Sequence, residues 1–227
     1  MSSATIECQR GLCEVFMDVI IGYVIRYSMD FGAIIIALTI HEFCHGLMAY
    51  SLGDHTAKIQ GRLTLNPLAH LDLLGFLMLM IAKFGWAKPV PVNPSKFTRA
   101  DVRTGMVLVG AAGPLSNLFL GFVFLTIFIF LRPRANLNYF LSALILVNMY
   151  LAFFNLLPIP PLDGSRILFG ILPGRFYRYM APLERYGSVI LLILILTGSV
   201  ARIIGPLARG MIQAFMDLSL FIFGGLL

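Results

Sequence analysis

The sequence predicts an all-α membrane protein: a multispan transmembrane helical bundle, four helices and up to six, with a small strand region at the cytoplasmic face. Three observations predict it. Of 227 residues, 59% are hydrophobic and only 12% are charged, whereas a soluble domain carries roughly a quarter charged residues. Mean hydropathy is +0.87. Two uncharged runs, 105–131 and 135–162, each exceed the roughly 20 residues that cross the hydrocarbon core as a helix.

Taken in order, the first apolar stretch, 12–28, is interrupted by Glu14, Asp18 and Arg26; it spans, or lies in the interface as an amphipathic helix. Phe31–Leu52 spans if His41, Glu42 and His45 face protein rather than lipid. In "KIQGRLTLN" (58–66), Ile59, Leu63 and Leu65 share odd positions, the pattern of a short strand with one apolar face. Such an edge could take an extended peptide by strand addition. Leu73–Ala82 is too short to span and reads as a re-entrant piece. "KPVPVNP" (88–94) is expected to be extended, because each proline pushes its predecessor out of helical geometry. In "GAAGPLSN", Pro114 suits the first position of a helix, which would leave Pro114–Leu131 as the span. Leu137–Leu157 follows and meets Pro158, Pro160 and Pro161. Tyr186–Ile204 is the fourth span, with Arg202 snorkelling at its end. The stretch 210–227, interrupted by Asp217, is weaker. One integral membrane domain, 1–227, is therefore expected, with its core motifs in 31–172. Residues 1–30 and 205–227 are peripheral or additional membrane segments.

The net charge of +6 is spread along the links between apolar runs, which points to topology and away from nucleic acid as a partner. If the four spans alternate, links 53–104 and 158–185 share one face. They hold Lys58, Arg62, Lys83, Lys88, Lys96, Arg99, Arg103, Arg166, Arg175, Arg178 and Arg185. The opposite link holds only Arg132 and Arg134. Positive charge marks the cytoplasmic side, so a multi-pass protein of the cell membrane is expected, with its site nearer the cytoplasm. Cys8, Cys13 and Cys44 form neither a disulfide framework nor a CxxC zinc site. Glu14 and Asp18 interrupt any signal-peptide core, so a cleaved leader is not expected.

The chemistry gathers in "HEFCH" (41–45). On a helix His41 and His45 project from the same face and can reach one metal ion, while Glu42 beside them is free to act on a water at the metal. This is the H-E-x-x-H arrangement of zinc proteases. An ionisable residue inside a span needs a partner or a function, and no basic residue lies between Arg26 and Lys58 to pair with Glu42. Cys44 points away from the shared histidine face and reads as a small buried residue. A catalytic zinc usually has three protein ligands and an open position. His55 and His70 fall in the polar link and read as surface or turn histidines. Asp163, in "NLLPIPPLDG", is the better third ligand, although alone it reads as an ordinary Asp-Gly turn.

"HEFCH" followed far downstream by "NLLPIPPLDG" resembles the site-2 protease family of intramembrane zinc proteases. "GRLTLNPLAHLDLLG" (61–75), "FGWAKPVPVNP" (84–94) and "GAAGPLSN" (110–117) are similar to segments of its small bacterial and archaeal members, those without a PDZ domain. The resemblance covers about 31–172. It implies one catalytic zinc ion held by His41, His45 and Asp163, Glu42 as the catalytic glutamate, and Asn155 as the active-site asparagine. Asn117 is a weaker carry-over. Leu73 stands where the family has proline. The implied activity is zinc-dependent cleavage of transmembrane or membrane-tethered protein segments within or near the lipid bilayer, with Asn155 hydrogen-bonding the oxyanion or the substrate backbone. No link is long enough for an inserted PDZ domain, so gating is expected to use the membrane core, short loops or a separate regulatory membrane protein. The alternative is a membrane metal transporter or sensor without hydrolytic activity. That alternative would need polar residues at several depths, whereas here they gather at one.

Overall fold

The computed structural model describes residues 3–82, 85, 87–173 and 177–224; Lys83 and Arg175, two of the cations used to assign sides, lie outside them. The described α-helices are α1 (Ser3–Ser51), α2 (Thr56–Ile59), α3 (Leu73–Ala82), α4 (Val102–Leu131), α5 (Ala135–Asn155), α6 (Asp163–Ile171), α7 (Tyr177–Leu196) and α8 (Ser199–Phe223). Among the described residues, four segments are long and apolar enough to cross a membrane: Val19–Ser51, Val102–Leu131, Ala135–Asn155 and Ser199–Phe223.

The helical bundle is as expected, with three corrections to its boundaries. The stretches 12–28 and 31–52 are not separate elements but one helix, α1. Its lower-numbered half leaves Val19, Tyr23 and Val24 exposed, as suits a lipid-facing surface. The expected span 186–204 is cut in two. The Thr197 hydroxyl donates back to the Ile193 and Leu194 carbonyls, and Gly198 takes a left-handed φ of 70°. Together these close α7 and restart the chain as α8, whose Asp217 accepts from Gln213 one turn before it at 3.0 Å. Finally, Pro114 does not start a helix; it lies inside α4. The start is set by Asp101, whose side chain accepts from Thr104 N at 3.0 Å, an N-cap in the ordinary sense. Proline inside a membrane helix is tolerated where neighbouring groups satisfy the freed backbone.

The small strand region is also corrected. Among the described residues there is no strand, only one isolated antiparallel bridge between Leu71 and Ala87. Ile59 ends α2, Gly61 turns the chain at φ +67°, and Ile59 and Leu65 are 78% and 60% exposed. The alternation at 59, 63 and 65 therefore never meets a common apolar surface. The stretch expected to be re-entrant forms α3, capped by Asp72, which accepts from Gly75 N at 2.8 Å. Leu73 occupies the first helical turn, so the proline it replaces is not needed for the cap.

α4 is the centre of the bundle, packed on α1, α5, α6 and α8. Gly110, Gly113, Asn117 and Gly121 are buried along it, three or four residues apart and so on one face. Small residues let membrane helices approach closely where no hydrophobic force draws them together. Ala33 of α1 and Leu141, Ala143 and Leu144 of α5 fill the adjoining core.

Candidate metal centre

His41 and His45 stand one turn apart on α1, 3% and 5% exposed. Asp163 opens α6 and is likewise buried. It is placed by the chain reversal after α5, where a Cβ on Gly164 would lie 2.3 Å from the Leu156 carbonyl oxygen. Only glycine lets α6 begin that close to the end of α5.

The Asp163 Oδ2 atom lies 3.1 Å from His41 Nε2 and 3.0 Å from His45 Nε2, and the two Nε2 atoms are 3.0 Å apart. Their outer nitrogens decide what these contacts are. His45 Nδ1 lies 2.6 Å from the Val109 carbonyl, which can only accept, so that nitrogen carries the proton. His41 Nδ1 lies 2.7 Å from Asn117 Oδ1. Asn117 cannot be turned round, because its NH₂ group donates to the Ala37 carbonyl and to Asn148 Oδ1. Asn148 in turn donates to the Leu144 carbonyl. In its neutral form each imidazole therefore presents a bare Nε2 lone pair to a carboxylate oxygen. One proton could bridge one pair of these acceptors, but not all three. A cation satisfies them together, and their spacing is close to the roughly 3.3 Å edge of a tetrahedron of 2.0–2.1 Å bonds. His41, His45 and Asp163 are the His/Cys/Asp/Glu group, among the described residues, able to hold a metal ion.

Glu42 is half-buried beside this triad and does not join it; its Oε2 accepts from Val90 N at 2.9 Å. Asn155 ends α5 and donates to the Leu151 carbonyl at 3.0 Å, outside the triad's hydrogen bonds. His55 is exposed and meets the Gly53 carbonyl. His70 closes a single turn and donates to the Thr64 carbonyl, although it is buried rather than at the surface. Cys44 is a free thiol outside the group. The sequence reading missed Asn148, which is 0% exposed, and Arg166, 3.5 Å from Asp163 Oδ1. An asparagine inside an uncharged span was the available signal for Asn148, since it too requires a partner.

Comparison with known proteins agrees with this chemistry. The profile of Peptidase family M50 matches residues 131–198. YwhC of Bacillus subtilis, named as a zinc metalloprotease, is 38% identical over 203 residues, covering 86% of this chain and 92% of its own. Rip2 of Mycobacterium tuberculosis, named likewise, is 36% identical over 178 residues, covering 75% of this chain and 67% of its own. A zinc metalloprotease of Methanocaldococcus jannaschii is 28% identical over 192 residues, 81% of this chain and 48% of its own. No solved structure matches. Two imidazole nitrogens and a carboxylate meeting where α1 and α6 pack on α4, with Glu42 next to them, are thus found in a chain that belongs to Peptidase family M50, a family of zinc metalloproteases.

Proposed function

We propose that this zinc metalloprotease cleaves transmembrane or membrane-tethered protein segments within or near the bilayer, with His41, His45 and Asp163 holding the zinc and Glu42 as the general base. The observation that carries the reading is the position of the three converging acceptors, on helices that cross the membrane or pack against those that do.

When bound by these residues, zinc supplies a Lewis acid that polarises a carbonyl and lowers the pKa of water. Glu42 takes the proton of the attacking water and delivers it to the leaving amine. Val109 and Asn117 hold the two imidazoles in the tautomer that offers Nε2 inward, as outer-sphere partners of ligating histidines commonly do. Asn155 keeps one amide hydrogen beyond its bond to Leu151, and that hydrogen serves the oxyanion or the substrate backbone.

A cavity of about 450 Å³ is lined by residues including Ile35, Leu38, Val147, Leu151, Ile195 and Ile204. Glu42 continues the α1 face of Ile35 and Leu38, seven and four residues on. A helical segment has every amide bonded internally, so the substrate is cut where it unwinds, and this apolar space receives its side chains. The basic links support a site nearer the cytoplasm. Its partners are then a transmembrane protein substrate and a separate membrane protein that regulates it.

The test is cleavage of a synthetic single-span peptide in liposomes, with zinc content measured in parallel. Products cut inside the apolar stretch by wild type and not by zinc-loaded Glu42→Gln support the proposal. Cleavage confined to soluble loops would overturn the intramembrane reading and leave the metalloprotease standing.

A further inference from the structure

Residues 87–93 read Ala-Lys-Pro-Val-Pro-Val-Asn, and proline carries no N–H. Few backbone donors therefore remain in this extended strap, and three of them have defined acceptors. Lys88 N donates to the His70 carbonyl at 2.8 Å. Asn93 N donates to Asp54 Oδ2 at 2.6 Å. Between these anchors, Val90 N donates to Glu42 Oε2 at 2.9 Å. The strap is clamped from behind by Arg62, whose Nη2 donates to the Lys88 and Pro89 carbonyls at 2.7 and 3.2 Å. Val90 is 8% exposed, and its side chain sits over Gly46, where a Cβ would come within 3.1 Å of Val90 Cγ1. Gly46 is one turn of α1 beyond Glu42. The strap thus lies along the helix that carries the glutamate.

We infer that the Lys88–Asn93 strap positions Glu42 for proton transfer, with Val90 N–H fixing one carboxylate oxygen and Arg62 acting as the positioning residue that holds the strap. The inference rests on the reading of Glu42 as the general base. Glu42 has three rotatable side-chain bonds and, among the described residues, no hydrogen-bond partner within α1. Bonding Oε2 to a fixed amide removes that freedom and leaves Oε1 for the water. Prolines at 89 and 91 suit the task for two reasons. They hold the strap extended without a sheet, and they remove the neighbouring donors that would compete for the carboxylate. The bond is charge-assisted and so among the stronger ones available to a backbone amide. Misplacing a catalytic group by about 1 Å costs on the order of a hundredfold in rate.

Two measurements test this. The first is hydrogen exchange of the zinc-loaded, detergent-solubilised protein, followed by mass spectrometry. Because prolines contribute no amide hydrogen, a peptide covering the strap reports on very few sites. Glu42→Ala should speed one of them on the order of tenfold to a hundredfold, the worth of a charge-assisted hydrogen bond. If the strap exchanges as in wild type, the bond does not exist and the inference falls. The second measurement is kinetic, on the same single-span peptide in liposomes. Val90→Pro deletes the donor at a position that Pro91 already confines to extended geometry. It should lower kcat on the order of a hundredfold while zinc content and KM stay near wild type. Arg62→Lys should retain more kcat than Arg62→Ala. Wild-type kcat in Val90→Pro beside an inactive Glu42→Gln would refute the strap and keep Glu42 as base. An active Glu42→Gln would refute the base itself.

Discussion

Replacing Gly113 by alanine should abolish zinc binding while leaving the helices intact. A Cβ at this position would lie 2.4 Å from His45 Nε2, 2.6 Å from His41 Cε1 and 2.7 Å from His41 Nε2. The two Nε2 atoms are those whose lone pairs converge, so the added methyl enters the space the metal would use. Bringing the contact with His45 Nε2 out even to 3.0 Å, still tighter than real Cβ atoms show, requires a shift of about 0.6 Å, against a tolerance of about 0.2 Å in metal–ligand distance. The rings cannot move freely to supply it. Their outer nitrogens are held by Val109 and Asn117, and α4 itself is packed between α1 and α5. The loss should therefore exceed the roughly 10–100-fold in affinity that removing an outer-sphere partner costs. Zinc per protein after desalting, and affinity by competition with a chromophoric chelator, would measure it. Gly110→Ala is the companion variant, since its Cβ would meet the Asp163 carbonyl oxygen and Ile167 Cγ1 at 3.3 Å and Arg166 Cβ at 3.4 Å, contacts far looser than those at Gly113; it should keep the metal. A Gly113→Ala protein that holds one zinc with wild-type affinity would show that the ligand cluster lies elsewhere than this packing places it.

Three further outcomes are expected. His41→Ala, His45→Ala and Asp163→Ala should each purify without zinc, whereas Glu42→Gln should keep it and lose on the order of 10²–10⁴-fold in kcat; metal analysis beside peptide cleavage separates the two patterns. Asn117→Ala should weaken zinc affinity on the order of 10–100-fold, and Asn148→Ala by less, because it reaches His41 only through Asn117; chelator competition ranks them. Asp54 is buried, which alone would raise its pKa, but the Thr56 hydroxyl, the amides of Asn93 and Thr56, and the charge of Lys96 outweigh burial and hold the carboxyl below its usual range. Its stabilisation is present above the unfolded value of about 3.9 and lost as pH falls towards the folded one, so thermal melts at about pH 6 and pH 3 should differ more in wild type than in Asp54→Asn.

Three of the four spans, and the histidines and glutamate that gather in one of them, were legible in the sequence for one physical reason. Lipid offers no hydrogen bonds, so an apolar run long enough to span must be a helix, and a histidine or glutamate inside it must have a purpose. Asp163 needed the resemblance as well, because an Asp-Gly pair after prolines is locally just a turn. The ends of elements were less legible. The α4 start lay with Asp101 rather than Pro114, and the α7 end with Thr197 and Gly198. Both are settled by a single hydrogen bond or dihedral that the hydropathy of the run does not register.

The strand expected at 58–66 failed for a reason that also explains the strap. Alternation along a chain predicts a strand only if a partner is alongside to take its amides and a surface to bury its apolar face. Among the described residues neither is present near Ile59 and Leu65, which are exposed. Segment 88–93 shows no such alternation of apolar and polar residues, and its prolines disqualify it from the interior of a sheet. It is nevertheless the extended piece that lies against α1, because its few amides meet side chains and a carbonyl fixed by other elements: Glu42, Asp54 and His70. Two of those three acceptors are acidic side chains on or just after α1, twelve residues apart in sequence. A segment that could pair with any neighbour would need no such acids. The acids and the prolines make sense together, as a connection whose donors are few and whose acceptors are specific.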